Sequence, residues 1–339
     1  MTMIEHEIEE QEVSWSTIQK LSKDLRDAVG KMPDSAARVL VDFYDQIQED
    51  RVRCAAIVRQ ADEAREPNEL TSWLRDQFST IEQQIKLALG HYALARRPGR
   101  WMMSQYGIGP VISAGLLAHI NIDRAPTAGH IWRLAGLDPN VRWIGNEGAE
   151  DVIQQLGLKP KSKVTAEDIA KAAQMVNRKA ENITSLILQE EGSEMTGKNL
   201  KAALARRPWN AKLKRLCWII GCSFMKFSGR DECFYGKVYA QRKVQEIERN
   251  ESRAFRGQAE ESLRTKKITD KTLRERYEDG RLPDGRILLR AQRYAVKLFL
   301  SHLQHVMWES KHGTPPPKPY IIEHGGHVHY QPPVGWPCD

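Results

Sequence analysis

The chain has 339 residues, 41% of them apolar and 28% charged, which is enough to bury the cores of two or three domains and excludes wholesale disorder. Its net charge of +7 is unevenly spread: residues 1–197 hold 23 basic and 29 acidic side chains (net −6), residues 198–312 hold 27 and 13 (net +14), and the remainder carries −1. Five cysteines at positions 54, 217, 222, 233 and 338 are too scattered for a disulfide framework. A reducing, cytoplasmic setting is expected, and the acidic opening MTMIEHEIEEQEV is no secretory signal.

No run approaches 18 consecutive apolar residues, so no membrane partner is expected. A basic half of this density points instead to a polyanion, of which nucleic acid is the commonest.

After an acidic segment at 1–34, residues 35–95 predict two long amphipathic helices, with Pro33 and Pro67 in polar breaks and Asn68 as an N-cap. Antiparallel pairing within the chain, or a coiled coil between copies, would bury their stripes, and homo-oligomerisation through these helices is one expectation. Composition changes at Arg96-Arg97-Pro98-Gly99-Arg100, opening a compact helical unit over 96–148. A small helical insertion follows at 149–207, where Thr165 and Asp168 match a capping box. Residues 208–312 form a basic helical part. Within it 237–281 lacks a sustained apolar stripe and reads as a solvated helix or flexible arm, while 287–308 is a strong final helix. The tail, 313–339, is rich in Pro and His and begins extended. The hexapeptide Ala-Leu-Ala-Arg-Arg-Pro occurs at 93–98 and 203–208, and reads as one device used twice, a basic pair at a helix C-terminus. The expected class is all-α: a long N-terminal helical hairpin or coiled coil, then a helical domain with a helix-hairpin-helix motif.

That motif is the sharpest local signal. In Gln105-Tyr106-Gly107-Ile108-Gly109-Pro110-Val111, Gly107 permits a positive φ at the end of one short helix, and Pro110 opens the next, where its missing N–H costs nothing. Gly107, Ile108, Gly109 and Val111 are expected to offer backbone amides to phosphate oxygens, with Ile108 packed inward. Such contacts carry no base information. Arg96, Arg97 and Arg100 lie just upstream. Downstream, Lys212, Lys214 and Arg215 would clamp a backbone while Leu213, Leu216, Trp218 and Ile220 face a core.

The order Gly107-Ile108-Gly109-Pro110, then Ala135-Gly136-Leu137-Asp138-Pro139, then Asn210-x-x-Leu213-Lys214-Arg215-x-x-Trp218 resembles the C-terminal domain of insertion-sequence transposases related to the Piv DNA invertase, a family that includes RNA-guided recombinases. The resemblance spans about residues 40–144, 208–240 and more loosely 287–308. It implies DNA as the partner, RNA as a further one, and in complete members a RuvC-like α/β domain with four acidic metal ligands. Here the first 95 residues read as helical throughout. The resemblance also implies a nucleophilic serine at the position of Ile144, and isoleucine has no oxygen to attack with. The chain is therefore expected to bind DNA without cutting it and without a cofactor. The alternative is an active recombinase or metal-dependent nuclease using a displaced serine, such as Ser162, or the tail histidines.

His324, His327 and His329 could hold a metal with Cys338, or pack as an extended tail anchored by Tyr330 and Trp336; the extended tail is the expectation. Cys217, Cys222, Trp101, Met102 and Met103 read as core residues rather than ligands or stacking platforms.

Overall fold

The computed structural model describes residues 22–66, 68–189, 194–317 and 331–337. They form fifteen α-helices and no strand, so the fold is all-α. Contacts divide the chain into two compact units, Met1–Ala95 and Arg96–Asp339.

The first unit consists of α1 (Lys23–Gly30), α2 (Asp34–Glu63) and α3 (Glu69–Leu94). Asn68 caps α3 by accepting the Thr71 amide at 3.0 Å, which satisfies one of the helix's orphan donors. Helices α2 and α3 pair antiparallel within the chain, since Tyr92 reaches Asp34 at 2.6 Å and Tyr44 reaches Glu82 at 3.0 Å. The seam buries Ala37, Val41 and Tyr44, three and four residues apart, against Ala88, Leu89 and Tyr92. Burial and the neighbouring Glu82 push the Tyr44 hydroxyl up to about 12. Burial acts to raise the Glu82 carboxyl as well, but hydrogen bonds from Arg51, Gln48 and Tyr44 outweigh it and hold the group low. Val39, Phe43, Leu87 and Leu94 remain exposed on this hairpin.

The second unit begins with α4 (Arg97–Ser104) and α5 (Pro110–His119), followed by α6 (Ala128–Leu134). Next come α7 (Gly145–Gln155), α8 (Ala166–Met175), α9 (Ala180–Ile187) and α10 (Gly197–Ala205), which share their own core around Ile153, Ile169, Ile183 and Leu200. Thr165 and Asp168 do form the capping box on α8. The chain continues through α11 (Ala211–Lys226), α12 (Phe234–Glu251), α13 (Arg256–Thr265), α14 (Lys271–Glu278) and the 29-residue α15 (Asp284–His312). Helix α15 is the spine. It buries Ala291, Ala295, Phe299, Leu303 and Val306 against its neighbours, with Phe299 touching Trp101, Phe224 and Tyr235.

Two expectations need correction. The stretch 237–281 is neither a lone solvated helix nor a loose arm: α12, α13 and α14 enclose a small core of Phe255, Ala259, Tyr277, Leu282 and Ile287. Polar contacts replace the missing apolar stripe. Glu246, 1% exposed, gathers Arg242, Arg249 and Arg290, and Asn250 bonds both the amide and the carbonyl of Leu282. The repeated hexapeptide also does two jobs. In both copies the pair follows a helix end, Arg206 as the C-cap of α10 and Arg96 next to the Ala95 C-cap of α3, but in the first copy Arg96 is also the N-cap of α4 and Arg97 its first residue, where the dipole does not favour a cation.

The described part of the tail is tied to α15 and α4. Trp101 Nε1 donates to the Val334 carbonyl at 2.8 Å, and Trp336 Nε1 donates to Glu309 at 2.8 Å. His302 meets the Gln331 carbonyl through Nε2 at 3.0 Å and the Tyr235 hydroxyl through Nδ1 at 2.7 Å. A carbonyl only accepts, so Nε2 carries the proton and Nδ1 accepts from Tyr235. Burial, opposed by the Gln331 carbonyl and aided by nearby His305, brings His302 from 6.5 down to about 4. Because the folded value lies below the unfolded one, this neutral histidine contributes fully above about pH 6.5, and the contribution is lost as pH falls toward 4. Between those limits we expect His302 to account for roughly 3 kcal/mol of acid destabilisation, absent from His302→Gln, as read from urea midpoints at pH 7 and pH 4.5. An identical pH dependence in that variant would remove the assignment.

Candidate nucleic-acid interface

Helix α11 brings the three sequence motifs together. Asn210 caps it by accepting the Leu213 amide at 3.0 Å, and its own amide bonds the Leu134 carbonyl at 2.9 Å, which ties the helix start to the Ala135-Gly136 turn. Gly136 has φ +66°, and a β-carbon there would sit 2.8 Å from Trp209 and 3.1 Å from Lys214. Glycine is needed on both counts, and its absent side chain lets the Trp209 indole lie against the turn. The Lys214 ammonium then rests 3.9 Å from the centre of that ring.

The same device recurs around this point. Lys297 of α15 lies over Trp132 at 4.9 Å, while Trp132 Nε1 donates to the Lys297 carbonyl, and Arg207 lies over Trp143 at 5.0 Å. Arg293, one turn before Lys297, is exposed. Burial lowers Lys214, and the charges of Arg293 and Arg207 lower it further. Burial and Arg293 likewise lower Lys297, opposed only by Asp138. Lys214 is thus repelled by Arg207 and Arg293, and Lys297 by Arg293, which links the four cations in one cluster; none of them makes an ion pair among the described residues. An arriving phosphate would relieve that repulsion.

At its other end α11 backs the hairpin. Gly107 adopts φ +89°, its carbonyl accepts from Ser223 Oγ at 2.6 Å, and a β-carbon there would lie 2.8 Å from that oxygen. The Gly107 corner therefore closes directly onto α11. Helix α5 begins at Pro110 with Gly109 as an N-cap that has no side-chain bond, and Gly109 faces open space. Tyr106 beside it is 39% exposed. The side chains of Ser223 and Phe227 cover the Gly107 end of the corner, which leaves Gly109 as its open end.

The donor set needs one correction. Ile108 is 5% exposed and packs inward, but its amide already donates to the Gln105 carbonyl at 3.0 Å and is not available to a ligand. Among the described residues the amides of Gly107, Gly109 and Val111 have no such partner. Ile112, unremarked in the sequence, joins them as a first-turn donor of α5.

The remaining residues divide. Lys212, Lys214 and Arg215 are exposed on α11, Lys212 and Arg215 being already engaged within the protein. Arg96 and Arg97 stand apart from the corner, at the start of α4, roughly 12 Å of helix away, whereas Arg100 sits mid-helix, roughly 6 Å from its end. Arg96 and Arg97 line a cleft of about 360 Å³ with Lys311, and Arg97 covers Trp336 at 5.1 Å. Trp218 was expected in the core, where Leu213, Leu216 and Ile220 do lie, yet it is 61% exposed. At 100° per residue it falls on the side of Lys214 and Arg215, away from the buried face. Trp101 and Met102 are fully buried, and Cys217 is 3% exposed with its thiol pushed up to about 12 by burial, while Cys222 is only half-buried. The tail residues His324, His327, His329, Tyr330 and Cys338 lie outside the described residues.

Ile144 precedes α7 and packs beside that subdomain's core, and Ser162 Oγ accepts the Lys159 amide in a turn. No group of three or more metal-ligating side chains occurs among the described residues, and none of their helices is long and apolar enough to cross a membrane.

The sequence reading missed Arg207, Arg293 and Lys297. Their signal was present as an i, i+4 pair on α15 and a basic residue two before Trp209, but only packing shows that they meet. No family model matches the chain, and no curated protein or solved structure matches it either.

Proposed function

We propose that this protein is a transposase-related DNA-binding scaffold that grips the sugar-phosphate backbone without choosing a sequence. The observation that carries the reading is the cluster of Arg207, Lys214 and Lys297, each over an indole face, with Arg293 beside them and no ion pair to any of the four among the described residues. The Gly107–Gly109 corner, open at Gly109, would supply neutral donors about 14 Å farther along α11, counted from Lys214 to Ser223. Both sets address phosphate, which is uniform along DNA, so affinity rather than base choice results. Binding without cleavage is proposed because Ile144, which has no oxygen, stands at the position the resemblance gives to the family serine.

The test is a fluorescence-anisotropy titration of labelled duplexes of unrelated sequence. Wild type is expected to bind them within a few-fold of one another, and Lys214→Glu with Arg293→Glu to weaken all of them by at least tenfold. Equal binding by that double variant would refute the assignment. A second copy joined through Val39, Phe43, Leu87 and Leu94 completes the proposal; a sedimenting mass of one chain at micromolar concentration would remove that part alone.

A further inference from the structure

Between the cation cluster and the hairpin corner, α11 leaves one face in solvent, and Trp218 stands in the middle of it, 61% exposed. Its state contrasts with that of the neighbouring tryptophans. Trp132, Trp143, Trp209 and Trp336 each have a cation over the ring, and Trp101 stacks on Phe299. Trp218 has neither, and among the described residues no hydrogen bond holds it. Lys214 and Arg215 precede it by one helical turn, and Met225 (40% exposed) and Lys226 follow within about two.

We propose that Trp218 is a stacking platform for an unpaired nucleobase, so that the strand held by this face is single-stranded DNA or the unpaired stretch of a branched duplex. This rests on the DNA reading above and refines it. Charge selects the ligand class: a bare indole bracketed by cations suits a chain that offers flat apolar rings and phosphates in alternation. Geometry selects the unpaired form. In an intact duplex the base faces are stacked on one another, and an indole on a helix lying along the backbone cannot reach them. An apolar protein partner fits less well, because the flanking positions are basic and the cluster beside them has no ion pair among the described residues.

The full-length protein is titrated with labelled oligo(dT) of 20 nucleotides and with a blunt 20-base-pair duplex at one salt concentration. Wild type is expected to prefer oligo(dT). Trp218→Ala should weaken oligo(dT) binding by about tenfold and leave the duplex within twofold, with Trp218→Phe recovering most of the loss. Trp218 is exposed, so these variants are expected to fold. Equal losses on both ligands, or no loss on oligo(dT), would overturn the platform while leaving backbone binding intact. Oligo(rU) bound at least tenfold more tightly than oligo(dT), with the same Trp218→Ala loss, would overturn the assignment to DNA in favour of RNA. If wild type bound neither DNA ligand, the DNA reading would fall and this inference with it.

Discussion

A fourfold rise in salt, from 50 to 200 mM, is expected to lower the affinity of this protein for duplex DNA on the order of a thousandfold. Six basic side chains are placed to meet phosphates: Arg207, Lys214, Arg293 and Lys297 in the cluster, and Lys226 and Arg230 beyond Trp218. Each phosphate neutralised releases condensed counterions, so about six contacts give a slope near −5 in log affinity against log salt. The Gly107, Gly109 and Val111 amides are uncharged and contribute grip without slope. Removing them and removing cations should therefore look different. Lys214→Ala should make the slope shallower by about one, whereas Gly109→Pro, which deletes an amide, should weaken binding with the slope unchanged. An affinity that barely moves between the two salt concentrations would exclude a backbone grip.

Trp101→Ala is expected to cost about 3–5 kcal/mol of stability, the range for deleting a large buried aromatic side chain. Trp101 is completely buried, stacks on Phe299 at 5.7 Å with an interplanar angle of 13°, and holds the Val334 carbonyl. It therefore joins the first helix of the hairpin to the spine and to the tail, and its loss should loosen all three. Trp101→Phe keeps a ring against Phe299 and gives up mainly the Nε1 bond, a change of about 1 kcal/mol. The cost is limited because Gln105 Nε2 also donates to Val334, at 3.3 Å. Urea midpoints for the two variants check the ordering, and a Trp101→Ala midpoint close to wild type would show that Trp101 does not anchor the hairpin.

Much of the helical layout was legible because its causes are local. Asn68, Thr165 and Pro110 mark helix starts by supplying a side-chain acceptor or dispensing with an amide, and both are properties of a few consecutive residues. Gly107 was legible for the same reason, since a left-handed turn between two helices demands it. Trp218 was misplaced because an apolar residue in an amphipathic helix is expected inside, and only the 100° step from Leu213 and Ile220 puts it outside. The stretch 237–281 was misread because its order comes from Glu246 and Asn250 pairing with distant residues rather than from an apolar period.

The amino-acid order by itself determined the all-α class, the basic second half, the glycine corner and the lysine-rich face of α11, for each of these follows from residues within a few turns of one another. The tertiary structure alone decided that Arg207, Lys214 and Lys297 lie over indole rings with Arg293 close by, that the Ile108 amide is spent inside the turn, and that Arg96 and Arg97 line a separate cleft. Charges from α11, α15 and the segment before Trp209 act on one another only once packing has brought them close. Their repulsion is a property of the folded chain, and the proposed grip on a phosphate strand depends on it.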